Sequence, residues 1–531
     1  MMKFSIGYNY DIKLLAILEK YKQHIEALYF PMPKNYIGSG RYIVQNKNYP
    51  NQIPTLIAKC KSLGITSQLL LNSTCQGKES VDRDYFETIV GYVKQLKSLG
   101  LKSVVVVNPL YIRGIKKQVK GIRIESSVNC YVKTIEHAIY LKNMGVDVIT
   151  IDRDINHNIS LIKGIKEKTG LKLRIMLNEG CLCNCPYRNL HYNCISHGIS
   201  DYNNTLNGSY GDNFCFNIFE QDPTKIFNLP FIGPEEAKKY TGFVDYYKLT
   251  TRVFSTTKIE YCLKAYISQK YNGNLLDILD STGLSYFEFV DYSLLKKDNL
   301  SKTLSKRNPK CDDGDYYRKL FKKSVILNPE YLKGKPRKKE NERIISTYKR
   351  IIKKSDYKEP LYLKLAKAYC DLGEYEKGID AVQKSIDLSK DEPEPYLFLA
   401  LIYEHQNKLE KALGIYNEAA SLFPDFSMIY VNIARTYFNL KKHKEAIKPA
   451  NKALGLGGEI DYAKVFILLG LCYQHLSQYP KARLQFKKAE KIDPKDSQIN
   501  FLIYECYKGM GQTDKANKEF AKISEKSKKF S

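Results

Sequence analysis

Between residues 365 and 507 the chain repeats itself. The runs Leu365-Ala-Lys-Ala-Tyr369, Leu399-Ala-Leu-Ile-Tyr403, Ile433-Ala-Arg-Thr-Tyr437, Leu469-Gly-Leu-Cys-Tyr473 and Ile503-Tyr-Glu-Cys-Tyr507 recur in register, with their tyrosines 34, 34, 36 and 34 residues apart. Small residues keep the same step at Gly378, Ala412, Ala446, Ala482 and Ala516, and Pro424 and Pro494 close two of the units. A period of this length denotes helical hairpins. None of them buries its apolar face alone, so they stack into one all-α superhelix. The small residues let the paired helices approach, and the leucines and tyrosines fill the space between neighbouring units. Cys370, Cys472 and Cys506 lie on these helices and read as core residues. The polar end, Ser524 to Ser531, is expected to fray.

About five such units resemble tetratricopeptide repeats, which implies a surface for a protein or peptide partner. They are expected over 357–531. A basic linker is expected over 326–356, where Lys333-Gly-Lys-Pro-Arg-Lys-Lys339 is the one dense basic run and Glu342–Ile352 forms a lead-in helix.

Residues 1–325 have a different rhythm. Short apolar strands are expected at Phe4–Tyr8, Ile25–Phe30, Thr66–Leu71, Ser103–Val107, Gly121–Ser126, Val146–Ile151, Leu171–Leu177 and Tyr246–Leu249. Amphipathic helices separate the first seven, and several stop on a glycine: Gly64, Gly100, Gly145 and Gly170. A helix that ends on glycine and feeds an apolar strand marks a βα unit of a parallel sheet. Eight units favour a TIM-like (β/α)8 barrel, and the absence of a Gly-x-Gly-x-x-Gly or phosphate-loop motif weakens a dinucleotide-binding alternative. Chemistry in such barrels sits at the C-terminal strand ends. Polar residues recur there: Asn72, Asn108, Glu125 to Asn129, Asp152, Asn178 and Glu179. A shared polar pocket is therefore expected, with Asn178, Glu179, Glu125 and Asp152 as candidates.

The formal net charge is +27, from 84 basic and 57 acidic side chains. It is spread evenly: +15 before Lys333 and +12 from there on. That distribution reads as a solvated lysine-rich surface, with RNA as a weaker partner class. No apolar run approaches the roughly 18–20 residues of a membrane span. The N-terminus runs into a strand without the pattern of an export signal. Thirteen cysteines without such a signal point to a reducing cytoplasm, where they serve as thiols or metal ligands.

Four of those cysteines (Cys181, Cys183, Cys185 and Cys194), with His191 and His197, fall between Asn178 and His197, just past the seventh strand. Thiols crowded at a strand end suit a soft-metal or iron–sulfur site. The polar stretch from Gly180 to Asp245, with Cys215 inside it, is expected to lie over the barrel mouth. Cys262 follows on a helix. No Gly-x-Ser-x-Gly elbow and no His-Glu-x-x-His helix is present, so a hydrolytic site has no motif behind it.

Gly180-Cys-x-x-x-Cys-Pro-x-Arg-x-x-His191 with Ser196-His197 resembles the collagenase-like peptidase family U32. So do Phe231-Ile-Gly-Pro-Glu235, Asp245-Tyr-Tyr-Lys-Leu-Thr-Thr-Arg252, and Cys262-Leu-Lys-Ala-Tyr266 with Tyr271-Asn-Gly-Asn274. The resemblance spans about residues 1 to 320. It implies a [4Fe–4S] cluster on Cys181, Cys185, Cys215 and Cys262, with Cys183 and Cys194 as extra cysteines. Asn308-Pro-Lys-Cys311 stands where some relatives carry further cysteines, but the adjoining Asp312-Asp-Gly-Asp-Tyr316 has none. Zinc is the alternative metal, but the ligands are spread over some eighty residues, unlike compact zinc modules. Arg188 and His191 are candidates for the shell around the ligands; His197 reads as structural.

The expected function is an iron–sulfur redox enzyme or maturation factor, with oxygen-independent hydroxylation the first reaction to try because the resemblance points there. The alternatives are a U32-type peptidase acting on polypeptides, and a metal-bearing scaffold without catalysis. The sequence names no catalytic residue, substrate or electron donor.

Overall fold

The computed structural model describes residues 1–33, 49–75, 77, 81–196, 214–280, 284–297, 314–328, 337–353, 358–388, 390–457, 460–494 and 496–530. It divides into two compact units, 1–335 and 336–531.

In the first unit all eight expected strands form: β1 (Phe4–Gly7), β2 (Ile25–Pro31), β3 (Thr66–Leu71), β4 (Ser103–Val106), β5 (Arg123–Ser126), β6 (Val148–Thr150), β7 (Lys172–Met176) and β8 (Tyr246–Lys248). Every adjacent pair is parallel, and β8 returns to β1 through Phe4 opposite Tyr247, which closes the barrel. Six helices alternate with the first seven strands: α1 (Leu14–Lys20), α2 (Tyr49–Leu63), α3 (Arg83–Leu99), α4 (Pro109–Gln118), α5 (Ile135–Asn143) and α6 (Ile159–Thr169).

Local chemistry sets these boundaries. The Asp82 side chain accepts from Tyr85 N–H to start α3, and Gly100 ends it at φ 115°, a left-handed conformation that favours glycine. Alternate residues along the strands are apolar because helices cover the sheet from outside. Phe4, Ile6, Leu28, Leu69, Val104, Ile149 and Ile175 are fully buried in one continuous core with residues of the surrounding helices.

Beyond β7 come α7 (Arg188–Ser196), α8 (Phe214–Gln221) and, after β8, α9 (Thr256–Ser268). An antiparallel pair follows, β9 (Phe287–Val290) with β10 (Val325–Leu327). This pair lies outside the βα rhythm. Through β10 the first unit extends past residue 325, so the expected start of a linker at 326 falls inside a strand.

The second unit opens with the helix Arg337–Ile352, longer than the expected Glu342–Ile352, and continues as five antiparallel helix pairs from Glu359–Asp371 with Tyr375–Leu388 to Ser497–Gly509 with Thr513–Phe530. Each helix packs on the next in chain order. The small positions sit where the periodicity puts them: Ala412, Ala446 and Ala482 are fully buried and Ala516 nearly so. Cys472 and Cys506 are core residues as expected.

Candidate functional site

Side chains two apart on a strand point the same way, so the barrel interior can be read in layers. Gln68, Ser103, Glu125 and Arg174 make one layer, on the N-terminal side of Tyr29, Leu70 and Val105, which form a small apolar plug. Glu125 is fully buried and accepts from Gln68 Nε2 (2.6 Å), Ser103 Oγ (2.8 Å) and Arg123 Nε (2.8 Å). Arg174 Nη2 lies 3.1 Å from Glu125 and 2.8 Å from Glu26. Burial pushes the Glu125 carboxyl up, but Arg174 and Arg123 outweigh it and hold the group below its ordinary value. Glu125 is therefore part of an ionic floor under the plug and does not line the mouth, where the strand-end pattern put it.

Above the plug, at the C-terminal strand ends, a small cleft of about 30 Å³, open to solvent, is lined by Asn72, Asn129, Arg153, Glu179, Arg252 and Asp280 among others. Arg153 is the most deeply set cation, 1% exposed. It donates to Tyr192 Oη (2.7 Å) and Asn129 Oδ1 (3.3 Å), and lies 3.3 Å from Glu179. Of the sequence candidates, Glu179 lines the cleft. Asn178 instead pins the frame: it accepts from Thr250 N–H (2.7 Å) and donates to the carbonyls of Thr250 and Ile278. Asp152 caps a short turn by accepting from Asp154 N–H (2.8 Å), and burial raises its carboxyl. Asn108 likewise caps α4 through Leu110 N–H.

The cysteine segment lies beside this cleft. Gly180 follows Asn178 and Glu179 because the chain passes hard against the Asp280 carbonyl, where a Cβ would collide. Cys181 N–H then donates to Glu179 Oε1 (3.2 Å). Cys181, Cys185 and Cys215 influence one another electrostatically, and the Cys215 thiol donates to Cys185. That bond holds the Cys185 thiol down to about 6 and raises Cys215. Burial raises Cys181, against the pull of Arg153. Cys262 has other partners. It is fully buried, bonds the Ile278 carbonyl (3.6 Å), receives the Asn178 amide (3.9 Å), and burial pushes its thiol up to about 12.

Arg188 makes a two-pronged bond to Asp154 (2.7 and 2.8 Å) and reaches the Leu182 carbonyl (2.5 Å). His191 stacks on Tyr192 with ring centroids 5.6 Å apart. Cys183 bonds the Asp154 carbonyl (3.8 Å). The side chain of Cys194, His197 and the Asn308 to Cys311 stretch lie outside the described residues.

Sequence reasoning passed over Arg153, Asp154, Tyr192 and Asp280. The first two carried a usable signal, since Asp152-Arg153-Asp154 places three charges directly after an apolar strand.

Among the described residues, no group of three or more His, Cys, Asp or Glu is already gathered so as to hold a metal ion. The donor chemistry nevertheless suits a soft metal or cluster. Cys185 and Cys215 share a hydrogen bond, Cys181 interacts with both electrostatically, and Arg153 and Arg188 would offset thiolate charge there. The fit covers Cys181, Cys185 and Cys215; it does not extend to Cys262 in its present contacts.

A closed parallel barrel with a cysteine segment at its mouth, joined to helical repeats, defines a two-part class. Residues 16–186 match the model of peptidase family U32, and residues 363–425, 429–456 and 463–496 match models of the tetratricopeptide repeat. The chain thus joins a region similar to peptidase family U32 to a region similar to tetratricopeptide repeats. An uncharacterized protease of Methanocaldococcus jannaschii is 28% identical over 314 residues, which cover 59% of this chain and 92% of that protein. A solved U32 peptidase shares 20% identity over 39% of this chain and 83% of its own, with a TM-score of 0.33. The crystal structure of MamA protein shares 23% over 32% and 92%, with a TM-score of 0.30. Among the described residues no helix is long and apolar enough to cross a membrane.

Proposed function

We propose that the barrel is a redox enzyme or maturation factor whose cysteine segment holds an iron–sulfur cluster, and that the repeats recruit the protein or peptide partner bearing its substrate. The support for this reading is the hydrogen bond between Cys185 and Cys215, with Cys181 near enough to influence both electrostatically, beside a polar cleft at the barrel mouth. Those three thiols would hold the cluster, with Cys262 as a fourth ligand only after its bonds to Asn178 and Ile278 are exchanged. A cluster bound there supplies one-electron chemistry at a potential set by burial and by hydrogen bonds to sulfur. The chain's own groups bind and orient. Arg153, Asn129 and Asn72 present donors to the cleft, Glu179 and Asp280 present acceptors, and the Tyr29 plug separates the cleft from the ionic floor.

Oxygen-independent hydroxylation is the reaction to test first, on the strength of the resemblance. Anaerobic purification with iron and sulfide analysis, and a spectrum before and after dithionite, tests the reading. About four irons and four sulfides, with a broad band near roughly 400 nm that bleaches on reduction, support it. Zinc, or no metal after anaerobic handling, sinks it.

A U32-type peptidase is the second reading, favoured by the hydrogen bond from Cys215 that holds the Cys185 thiol below its ordinary value. Peptide cleavage that persists when Cys181 is replaced and disappears with Cys185→Ser would establish it instead.

A further inference from the structure

The turn after β6 places Arg153 and Asp154 side by side, with opposite charges, against the cysteine segment. Arg153 is fully buried and grips that segment at two points: Glu179 (3.3 Å), two residues before Cys181, and Tyr192 Oη (2.7 Å) on α7. Its ring contact with Tyr192 (5.3 Å to the centroid) braces the same grip. Asp154 takes the middle of the segment. Its carboxylate accepts both Arg188 Nη groups (2.7 and 2.8 Å), the Asn184 N–H (2.9 Å) and Lys133 Nζ (2.6 Å), and its carbonyl accepts the Cys183 thiol.

These attachments straddle both Cys181 and Cys185. Asn184, immediately before Cys185, sits at φ 50°, a left-handed conformation that asparagine tolerates better than most residues. The Asp154 bond to its N–H fixes the chain there. Arg188 passes the constraint back to the Leu182 carbonyl, between the two cysteines. A loop of this length would otherwise be free to swing its thiols apart.

We propose that Arg153-Asp154 is a charge-complementary clasp that pre-organises the cysteine segment, with Asp154 the positioning residue that holds Cys181 and Cys185 toward Cys215. The inference rests on the thiol site proposed above for its purpose, but not for its test. The clasp acts through backbone and guanidinium contacts and touches no reacting atom, so its loss opens the segment without removing a thiol.

The test uses the full chain, metal-free and reduced, under anaerobic conditions. The rate of iodoacetamide capture is followed by mass spectrometry at Cys181, with Cys472 in the repeats as internal reference. Losing charge-assisted bonds of this kind should raise Cys181 capture by about tenfold or more in Asp154→Asn while Cys472 is unchanged. Asp154→Glu, which keeps the charge, should fall back toward wild type. Arg188→Lys keeps a cation but loses the planar fork, and should behave like Asp154→Asn; it serves if the first variant folds poorly. Capture at Cys181 within twofold of wild type in both Asp154→Asn and Arg188→Lys would overturn the clasp. Cobalt(II) titration of the same proteins separates the two ideas. A thiolate charge-transfer band in wild type that weakens in Asp154→Asn supports both. No band in wild type defeats the thiol-site reading and leaves the capture rates to decide the clasp.

Discussion

Arg174→Leu gives the sharpest test of the ionic floor. Arg174 is 2% exposed and bonds Glu26, Glu125 and Gln68, so its removal leaves Glu125 fully buried with Arg123 as the remaining cation. Breaking a buried ion pair by deleting one partner costs about 3–5 kcal/mol, because the other charge stays desolvated. In hydrogen exchange followed by mass spectrometry, that cost corresponds to an increase of about 10²- to nearly 10⁴-fold in exchange from the most protected amides of β4, β5 and β7. The pH dependence should change sign as well. In wild type the Glu125 carboxyl is held below its ordinary value, so its contribution is present above the unfolded value and is lost as pH falls through the folded one. Without Arg174 the desolvation that now opposes ionisation dominates, the folded value rises above the unfolded one, and stability declines as pH is raised through it. Exchange within about tenfold of wild type, or the same pH trend in both proteins, would refute the reasoning.

Other consequences follow from particular contacts. Cys181→Ala and Cys215→Ala should lose bound iron after anaerobic purification while Cys472→Ala retains it; full iron in both of the first two variants sinks the ligand assignment. A methyl group at Gly470 would strike the Phe486 ring within the fourth repeat, so Gly470→Ala should destabilise the repeat unit by about 1–3 kcal/mol, seen as a lower Tm by circular dichroism. An unchanged Tm would mean that the ring gives way freely. His443 and His475 stack with centroids 4.3 Å apart, and burial together with the His475 charge lowers the His443 imidazole. The neutral ring is thus favoured by folding, and the repeat unit should lose stability as pH falls below the ordinary histidine value of about 6.5. His443→Gln should flatten that slope, and a slope unaffected by the substitution would assign it elsewhere.

The cysteine segment shows how far sequence reading reached. A strand-end cluster of thiols was visible because cysteine type and spacing are local properties. That Cys185 and Cys215 meet came only from the family resemblance, since thirty residues separate them and no period links them. Cys262 illustrates the converse. The family resemblance groups it with the others, whereas here it is bonded to Asn178 and Ile278. Glu125 failed as a cleft candidate for a simple reason: it faces the barrel interior one layer below the plug of Tyr29, Leu70 and Val105, and a place near a strand end does not by itself give that depth.

Local patterning alone determined the eight strands, their glycine-ended helices and the 34-residue hairpins, because each follows from which residues recur at the spacing of a strand or a helix. Even the small residues of the repeats were placed correctly, since a repeat brings its neighbour to the same position every time. Only the closed barrel decided which charges meet. Arg174 reaches Glu26 across 148 positions, and Arg153 and Asp154 reach a segment about thirty residues on. Hydrophobic burial acts on every residue of a pattern and is legible from its period. An ion pair needs two particular groups within a few ångströms, and that distance exists only once the sheet has closed.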